Sequence, residues 1–144
     1  MAYLTAQDLR DRFGEREIDL LLDRDANGLP DTGTADAAIA DASGEADAIL
    51  GARYPLPLPA TAWLKAAVAD LARARLYDQQ PPDAVTSRRD AALRIMRDIA
   101  RGNGVLVDEQ GQPLRERGES LAGGGATHRA KPRVFGDDNL QGYV

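Results

Sequence analysis

The chain of 144 residues carries 18 Lys and Arg against 23 Asp and Glu, a net charge of −5, and this length favours one domain with its own core. Aromatic residues make up only 5% of it, and abundant alanine favours closely packed helices over a β-sandwich. The lack of cysteine excludes a disulfide framework, a thiolate zinc site and a cysteine nucleophile. No apolar run is long enough to span a membrane, and the N-terminus lacks the pattern of a signal peptide, so we expect a soluble protein without membrane partners.

The N-terminal part of the chain predicts two short helices. Thr5, followed three residues later by Asp8, is typical of a helix N-cap with an acidic first turn. Gly14 ends or kinks this helix. The run EREIDLLLD continues in helical register, with Ile18, Leu21 and Leu22 on one face.

The stretch DRDANGLPDTGT, from Asp23 to Thr34, begins like an EF-hand calcium loop. The twelfth position of such a loop needs a bidentate carboxylate, and this chain has Thr34 there. Pro30 occupies the eighth position, where no backbone N–H is available for pairing with a second loop. We therefore predict a tight solvated connection between two helices without a metal, and Thr34 as the cap of the next helix.

The middle of the chain predicts three longer helices and a stiff connector. The first helix follows Thr34, with Ile39 and its neighbours recurring at three- and four-residue steps. The prolines of YPLPLP, Tyr54 to Pro59, exclude a helix and predict a rigid connector that packs Tyr54, Leu56 and Leu58. The alanine-rich segment 60–78 is predicted to be the central helix, and a further helix is predicted over 84–101.

The last third of the chain changes character. Residues 102–114 predict either a short hairpin turned at Gly111 or a single extended segment.

Residues 1–114 carry 13 Lys and Arg against 19 Asp and Glu, whereas residues 115–144 carry 5 against 4. The division predicted is a helical domain over 1–114 and an extended C-terminal arm over 115–144, whose apolar end suggests that it orders against a partner. The fold class predicted is all-α, a small bundle of four or five helices.

Few residues of the sequence suggest a catalytic function. The single histidine, His128, lies in the glycine-rich part of the arm, where no packed surroundings are expected to tune its pKa. Asp70, Arg73 and Arg75 are charged residues on the alanine-rich helix, and we expect them to form structural ion pairs across helices or across subunits. No metal-ligand spacing, nucleophile elbow or nucleotide fingerprint occurs, so we predict no enzyme, no catalytic residue, no metal and no cofactor.

The order of these segments resembles a known family. An N-terminal helix pair, GARYPLPLP, LARARLYD, ALRIMRDIARG and an arm containing RVFGDDNLQGY together resemble the Mu-like bacteriophage head-to-tail connector (adaptor, or head completion) family. The tail linker GESLAGGGATHRAK departs from the pattern, which leaves the length and path of the arm open.

The resemblance implies a structural virion protein. Its copies would form a ring, with twelve copies expected from the symmetry of the portal, between the portal protein and the tail or a head-closure or tail-terminator protein. The DNA would pass through the channel without specific binding. The protein would be found at the head–tail junction of the virion, and in the host cytoplasm during assembly. The partner-binding residues implied all lie in the arm: Arg133, Val134, Phe135, Asn139, Leu140 and Tyr143.

Two other functions stay open at this point. A small DNA-binding or DNA-packaging accessory protein would use Arg129, Lys131 and Arg133 on phosphates. The acidic body argues against DNA binding outside the arm. A calcium-binding helical module would require the Asp23 loop to bind the ion despite its incomplete set of ligands.

Overall fold

A computed structural model describes residues 2–118, and over this range the prediction of an all-α fold is confirmed. The five helices are α1 (Ala6–Phe13), α2 (Glu15–Leu22), α3 (Thr34–Leu50), α4 (Ala62–Leu76) and α5 (Asp83–Ala100). No β-strand forms among the described residues, where one isolated antiparallel bridge joins Val107 and Pro113. None of the five helices is long and apolar enough to cross a membrane.

The first two helices begin and end at the residues that the sequence indicates. Thr5 Oγ1 accepts a hydrogen bond from the N–H of Asp8 at 3.3 Å, and Asp8 Oδ2 accepts one from the N–H of Thr5 at 2.7 Å, which forms a reciprocal capping box. Gly14 then takes a positive φ of 99°, which glycine adopts without strain, so the chain turns between α1 and α2. Ile18 and Leu22 of α2 are buried, as predicted.

Helix α3 corrects one detail of the prediction. Its N-cap is Gly33, with a φ of 83°, and no side chain caps the helix. Thr34 is the first helical residue rather than the cap, because the turn needs a left-handed residue at its last position and glycine supplies it. The predicted inward face is confirmed, since Ile39 and Leu50 are fully buried.

Helix α4 is the central helix, as predicted. It packs against α3 and α5 and also contacts α2, and its Leu64, Val68 and Leu71 are fully buried. Small side chains at a helix contact let the two axes approach closely. Alanines fill the buried positions of α3 and α4 between the larger residues: Ala35, Ala38, Ala42, Ala46, Ala67, Ala69, Ala72 and Ala74.

The proline-rich connector joins α3 to α4 and is cis at the Leu56–Pro57 peptide bond. Tyr54 and Leu58 are buried in the core, as predicted. The prediction for Leu56 is wrong, because 45% of this residue is exposed. Its side chain lies against Gly51 at the end of α3, so close that a Cβ on that glycine would be 3.0 Å from Leu56 Cδ1.

After α5 the chain reverses direction, which decides between the two alternatives left open by the sequence. In this segment, the 104–114 turn, Asp108 N donates to Gln112 O and Leu114 N donates to Leu106 O, each at 2.8 Å. Gly111 turns the chain with a φ of 78°. The described residues therefore form a minimal hairpin with one bridge. The chain remains on the body as far as Arg117, whose N–H donates to Arg53 O at 2.7 Å.

Candidate functional site

The Asp23 loop is held by hydrogen bonds from its own backbone. Asp23 accepts bonds from the N–H groups of Asn27 and Gly28, at 2.9 and 2.8 Å, and Asp31 accepts one from the N–H of Arg24 at 2.9 Å. These carboxylates thus stabilise the turn through its own backbone N–H groups. No group of three or more acidic or histidine side chains suited to a metal occurs within residues 2–118.

A charged cluster joins α2 to α4. Arg73 donates to Glu17 Oε1 from Nε at 2.9 Å and from Nη2 at 2.6 Å, and Tyr77 Oη donates to the same oxygen at 3.1 Å. The Arg73 guanidinium also lies 4.5 Å from the centre of the Phe13 ring, a cation–π distance. Burial, and then the bond to Glu17, raises the pKa of Tyr77. The structural ion pairing predicted for Arg73 and Arg75 is confirmed, since Arg75 pairs with Glu45 at 2.7 Å.

Asp70 corrects that prediction. Its Oδ1 is buried and has no hydrogen-bond partner among the described residues. Burial raises the pKa of Asp70, and the positive charges of Arg12, Arg88 and Arg73 oppose this effect. Arg73 lies three residues further along α4 but directs its guanidinium to Glu17 instead. Asp70 is therefore an incompletely satisfied carboxylate in the bundle.

Arg53 ties the end of α3 to the C-terminal part of the described chain. Its Nη1 donates to Ile99 O at 2.7 Å and to Gly104 O at 2.5 Å, and its Nη2 donates to the carboxylate of Glu116. The hydrogen bond between the two side chains raises the pKa of Arg53 and lowers the pKa of Glu116. Because Ile99 O is among the last carbonyls of α5, the guanidinium also places a positive charge at the negative end of that helix.

An apolar groove of about 370 Å³ lies where α5 meets the 104–114 turn. We call it the α5 groove, and its walls are Thr61, Trp63, Ile95, Ile99, Gly104, Val105, Leu106 and Val107. Ile95, Val105 and Val107 are 42%, 51% and 44% exposed. Three branched apolar side chains at one open concave surface are typical of a contact site for another apolar segment. The sequence analysis did not identify this surface.

Tyr54 fixes the position of one groove wall. Its hydroxyl accepts a hydrogen bond from the N–H of Leu106 at 3.0 Å, deep in the core. The connector between α3 and α4 and the 104–114 turn are thereby joined through a buried contact. The only sequence signals for the groove were Ile95, which lies outside the inward positions of α5, and the run of three apolar residues VLV, residues 105–107.

The partner-binding residues predicted from the sequence lie outside the described residues, as does His128. They are Arg133, Val134, Phe135, Asn139, Leu140 and Tyr143. Nothing in the geometry of residues 2–118 tests their role. Of the predicted arm, only residues 115–118 are described, and they lie on the body beside Arg53 and the α5 groove.

Comparison with known proteins identifies relatives among bacteriophages. The family described as "Bacteriophage Mu, Gp36" matches residues 3–122, a range that includes all five helices and the α5 groove. Gene product J of Escherichia phage Mu is 33% identical over 123 residues, which is 84% of this chain and 87% of that protein. The chain therefore belongs to the Bacteriophage Mu, Gp36 family of Mu-like phage proteins.

Proposed function

We propose that this protein is a head-to-tail connector, a structural virion protein that forms a ring between the portal and the tail and continues the DNA channel. The observation that carries the proposal is the α5 groove in a chain of a phage family. Ile95, Val105 and Val107 expose branched apolar surface in one place, and such a surface suits contact with another protein. A connector needs surfaces of this kind toward its own copies, the portal and a tail or head-closure protein.

The charge of the body agrees with a place beside DNA that passes without specific binding. Carboxylates outnumber basic residues in residues 1–114 by 19 to 13. Six arginines of the described chain form ion pairs with carboxylates, which withdraws them from phosphate binding: Arg10, Arg24, Arg53, Arg73, Arg75 and Arg89. An acidic wall repels the DNA backbone and lets it slide. The expected location is the head–tail junction of the virion.

The direct test is negative-stain imaging of the purified protein alone and mixed with its portal protein. Rings docked on portals are expected for the wild type. Val105→Asp would place a charge in the α5 groove and is expected to abolish docking or ring formation. Leu29→Asp is the matched control, because Leu29 is 68% exposed in the Asp23 loop and lies outside the groove. Normal rings with Val105→Asp would show that the groove has no part in assembly.

The arm is tested in infected cells. A phage whose own copy of this gene carries Phe135→Ala is expected to yield heads that fail to join tails, since one buried aromatic commonly accounts for about 2 kcal/mol or more of an interface. Tailed and untailed particles are counted by electron microscopy, with folding verified by circular dichroism. Normal numbers of tailed, infectious particles would show that Phe135 is no contact residue.

One observation favours the second candidate, a DNA-binding or DNA-packaging accessory protein. Arg94, Arg97 and Arg101 are exposed, follow one face of α5 at helical spacing, and form no ion pair within residues 2–118. With the basic residues of the arm they offer a surface for phosphates. Binding of duplex DNA is measured at about 50 and 200 mM salt, where a contact to several phosphates loses orders of magnitude in affinity. Tight binding at physiological salt that Arg97→Glu removes would favour this candidate over the connector.

A further inference from the structure

The α5 groove is an apolar surface without a cover in the described part of the chain. Trp63 and Ile99 form its inner wall, and Ile95, Val105 and Val107 form its exposed edges. Exposed apolar area of this kind tends to be covered in solution, by the chain itself or by another molecule. The question is which apolar segment is available to cover it.

The remainder of the chain starts beside the groove. Leu114 N donates to the carbonyl of Leu106, a groove residue, at 2.8 Å. Arg117 N donates to Arg53 O at 2.7 Å, and the Arg53 guanidinium reaches the carbonyl of Gly104, another groove residue, at 2.5 Å. The last described residues, 115–118, therefore lie close to the groove wall, and this is where residues 119–144 begin in the sequence.

The composition of that remainder fits the groove. Its last eleven residues, VFGDDNLQGYV over 134–144, include two aromatic and three aliphatic side chains. Three basic residues come just before them, at 129, 131 and 133. Asp108 and Glu109 directly follow Val107 at one edge of the groove, where they are opposite in charge to these three basic residues.

In the free protein, the segment in the groove can come from the same chain or from a second copy, and the higher effective concentration determines which one binds. Residues 119–133 span at most about 50 Å at about 3.3 Å per residue, which is ample for a groove beside the starting point. A tether of this length gives an effective concentration on the order of 1 mM. A second copy at about 10 μM is roughly a hundredfold less concentrated, so the segment of the same chain occupies the groove first.

We propose that the C-terminal segment 134–144 docks in the α5 groove of its own chain, with Phe135 as the anchor beside Trp63. This contact covers the groove until a partner of higher affinity replaces it. The proposal concerns the free protein and does not depend on the connector role, so the two can fail separately.

Trp63 is the single tryptophan of the chain and lines the groove, so its fluorescence shows whether the groove is covered or open to solvent. Full-length wild type and Phe135→Ala are compared by emission maximum and acrylamide quenching over a hundredfold range of protein concentration. Phe135→Ala is expected to shift the emission to longer wavelength and to increase quenching at every concentration. Loss of the anchor should weaken docking about 30-fold, which equals about 2 kcal/mol at 1.4 kcal/mol per tenfold. Leu29→Ala, at an exposed apolar site outside the groove, is the matched control and should behave as the wild type.

A second experiment identifies the segment that occupies the groove. A peptide of residues 130–144 added to full-length Phe135→Ala is expected to restore wild-type emission saturably, and Val105→Asp in the same chain should remove this effect. Equal emission and quenching of wild type and Phe135→Ala at all concentrations would overturn the proposal. A difference that grows with protein concentration would overturn it as well, since the segment would then come from a second copy.

Discussion

Tyr54→Phe is the substitution that most directly tests how the body holds the α5 groove. The change removes one oxygen atom, the acceptor for the N–H of Leu106 at 3.0 Å. Tyr54 is fully buried and Leu106 is 4% exposed, so water cannot readily take the place of the hydroxyl. The ring, its packing and its cation–π contact with Arg53 at 5.4 Å remain.

The magnitude follows from the unsatisfied N–H. A buried donor left without its acceptor costs about 1 to 3 kcal/mol of folding free energy. For a domain of this size, each kcal/mol lowers the melting temperature by about 3 °C, so Tyr54→Phe is expected to lower it by about 3 to 9 °C. The loss should be concentrated in the 104–114 turn, because Leu106 is anchored there.

The assay combines thermal unfolding, followed by circular dichroism, with hydrogen exchange of the Leu106 amide. Faster exchange at this amide together with the lower melting temperature is the expected result. Tyr77→Phe is the matched control: Glu17 keeps both bonds from Arg73, and the hydroxyl is only partly buried, so a change within about 0.5 kcal/mol is expected. If Tyr54→Phe melts with the wild type and the Leu106 amide exchanges no faster, the hydrogen bond does not fix the groove wall.

Three further predictions concern charged and titrating groups. Burial raises the pKa of Asp70 above 3.8, so the loss of folding free energy caused by its charged form is absent below that pH and appears as the pH rises through the folded pKa. In urea unfolding, Asp70→Asn should be more stable than the wild type at pH 7, by a margin that disappears near pH 3. Equal stabilities at pH 7 would contradict this prediction. Burial and then the hydrogen bond to Asp47 raise the pKa of Tyr3 to about 12 from 10.0, so the wild type should lose stability between pH 10 and 12 to a degree that Tyr3→Phe does not, as measured by urea unfolding across that range. Calcium up to millimolar levels should leave helix content and melting temperature unchanged, whereas a saturable shift that Asp23→Ala removes would show that the loop binds the ion.

The helices were predictable because their signals are local. Thr5 and Asp8 are three residues apart and form the capping box that this spacing predicts, and the apolar periodicity of α4 and α5 identifies their buried faces. The errors at Thr34 and Leu56 have a different origin. Each depends on the conformation of nearby residues. Gly33 supplies the left-handed conformation before α3, and Gly51, which has no side chain, leaves room for the side chain of Leu56 to lie against it.

The ion pairs show where local reasoning stops. Asp70 and Arg73 are three residues apart on one helix, a spacing at which two side chains can meet. The guanidinium instead binds Glu17, 56 residues away in sequence, because the side chain of Arg73 lies toward α2 and the Phe13 ring. Composition indicates that a charged residue on an alanine-rich face needs a partner, but only the packing of helices selects which one.

The α5 groove could not be found from the sequence, for a physical reason that also bears on the arm. Ile95 alone is an ordinary exposed residue, and Val105 and Val107 alone are ordinary apolar residues in a turn. They become one surface because the chain reverses after α5 and Tyr54 holds Leu106 from beneath. Phe135 likewise indicates no contact site when it is considered as a single aromatic residue of the sequence. The groove has no cover among the described residues, and residues 115–117 lead the chain from Leu114 to the backbone of Arg53 beside the groove, so the proposed docking of segment 134–144 requires only the linker that follows them.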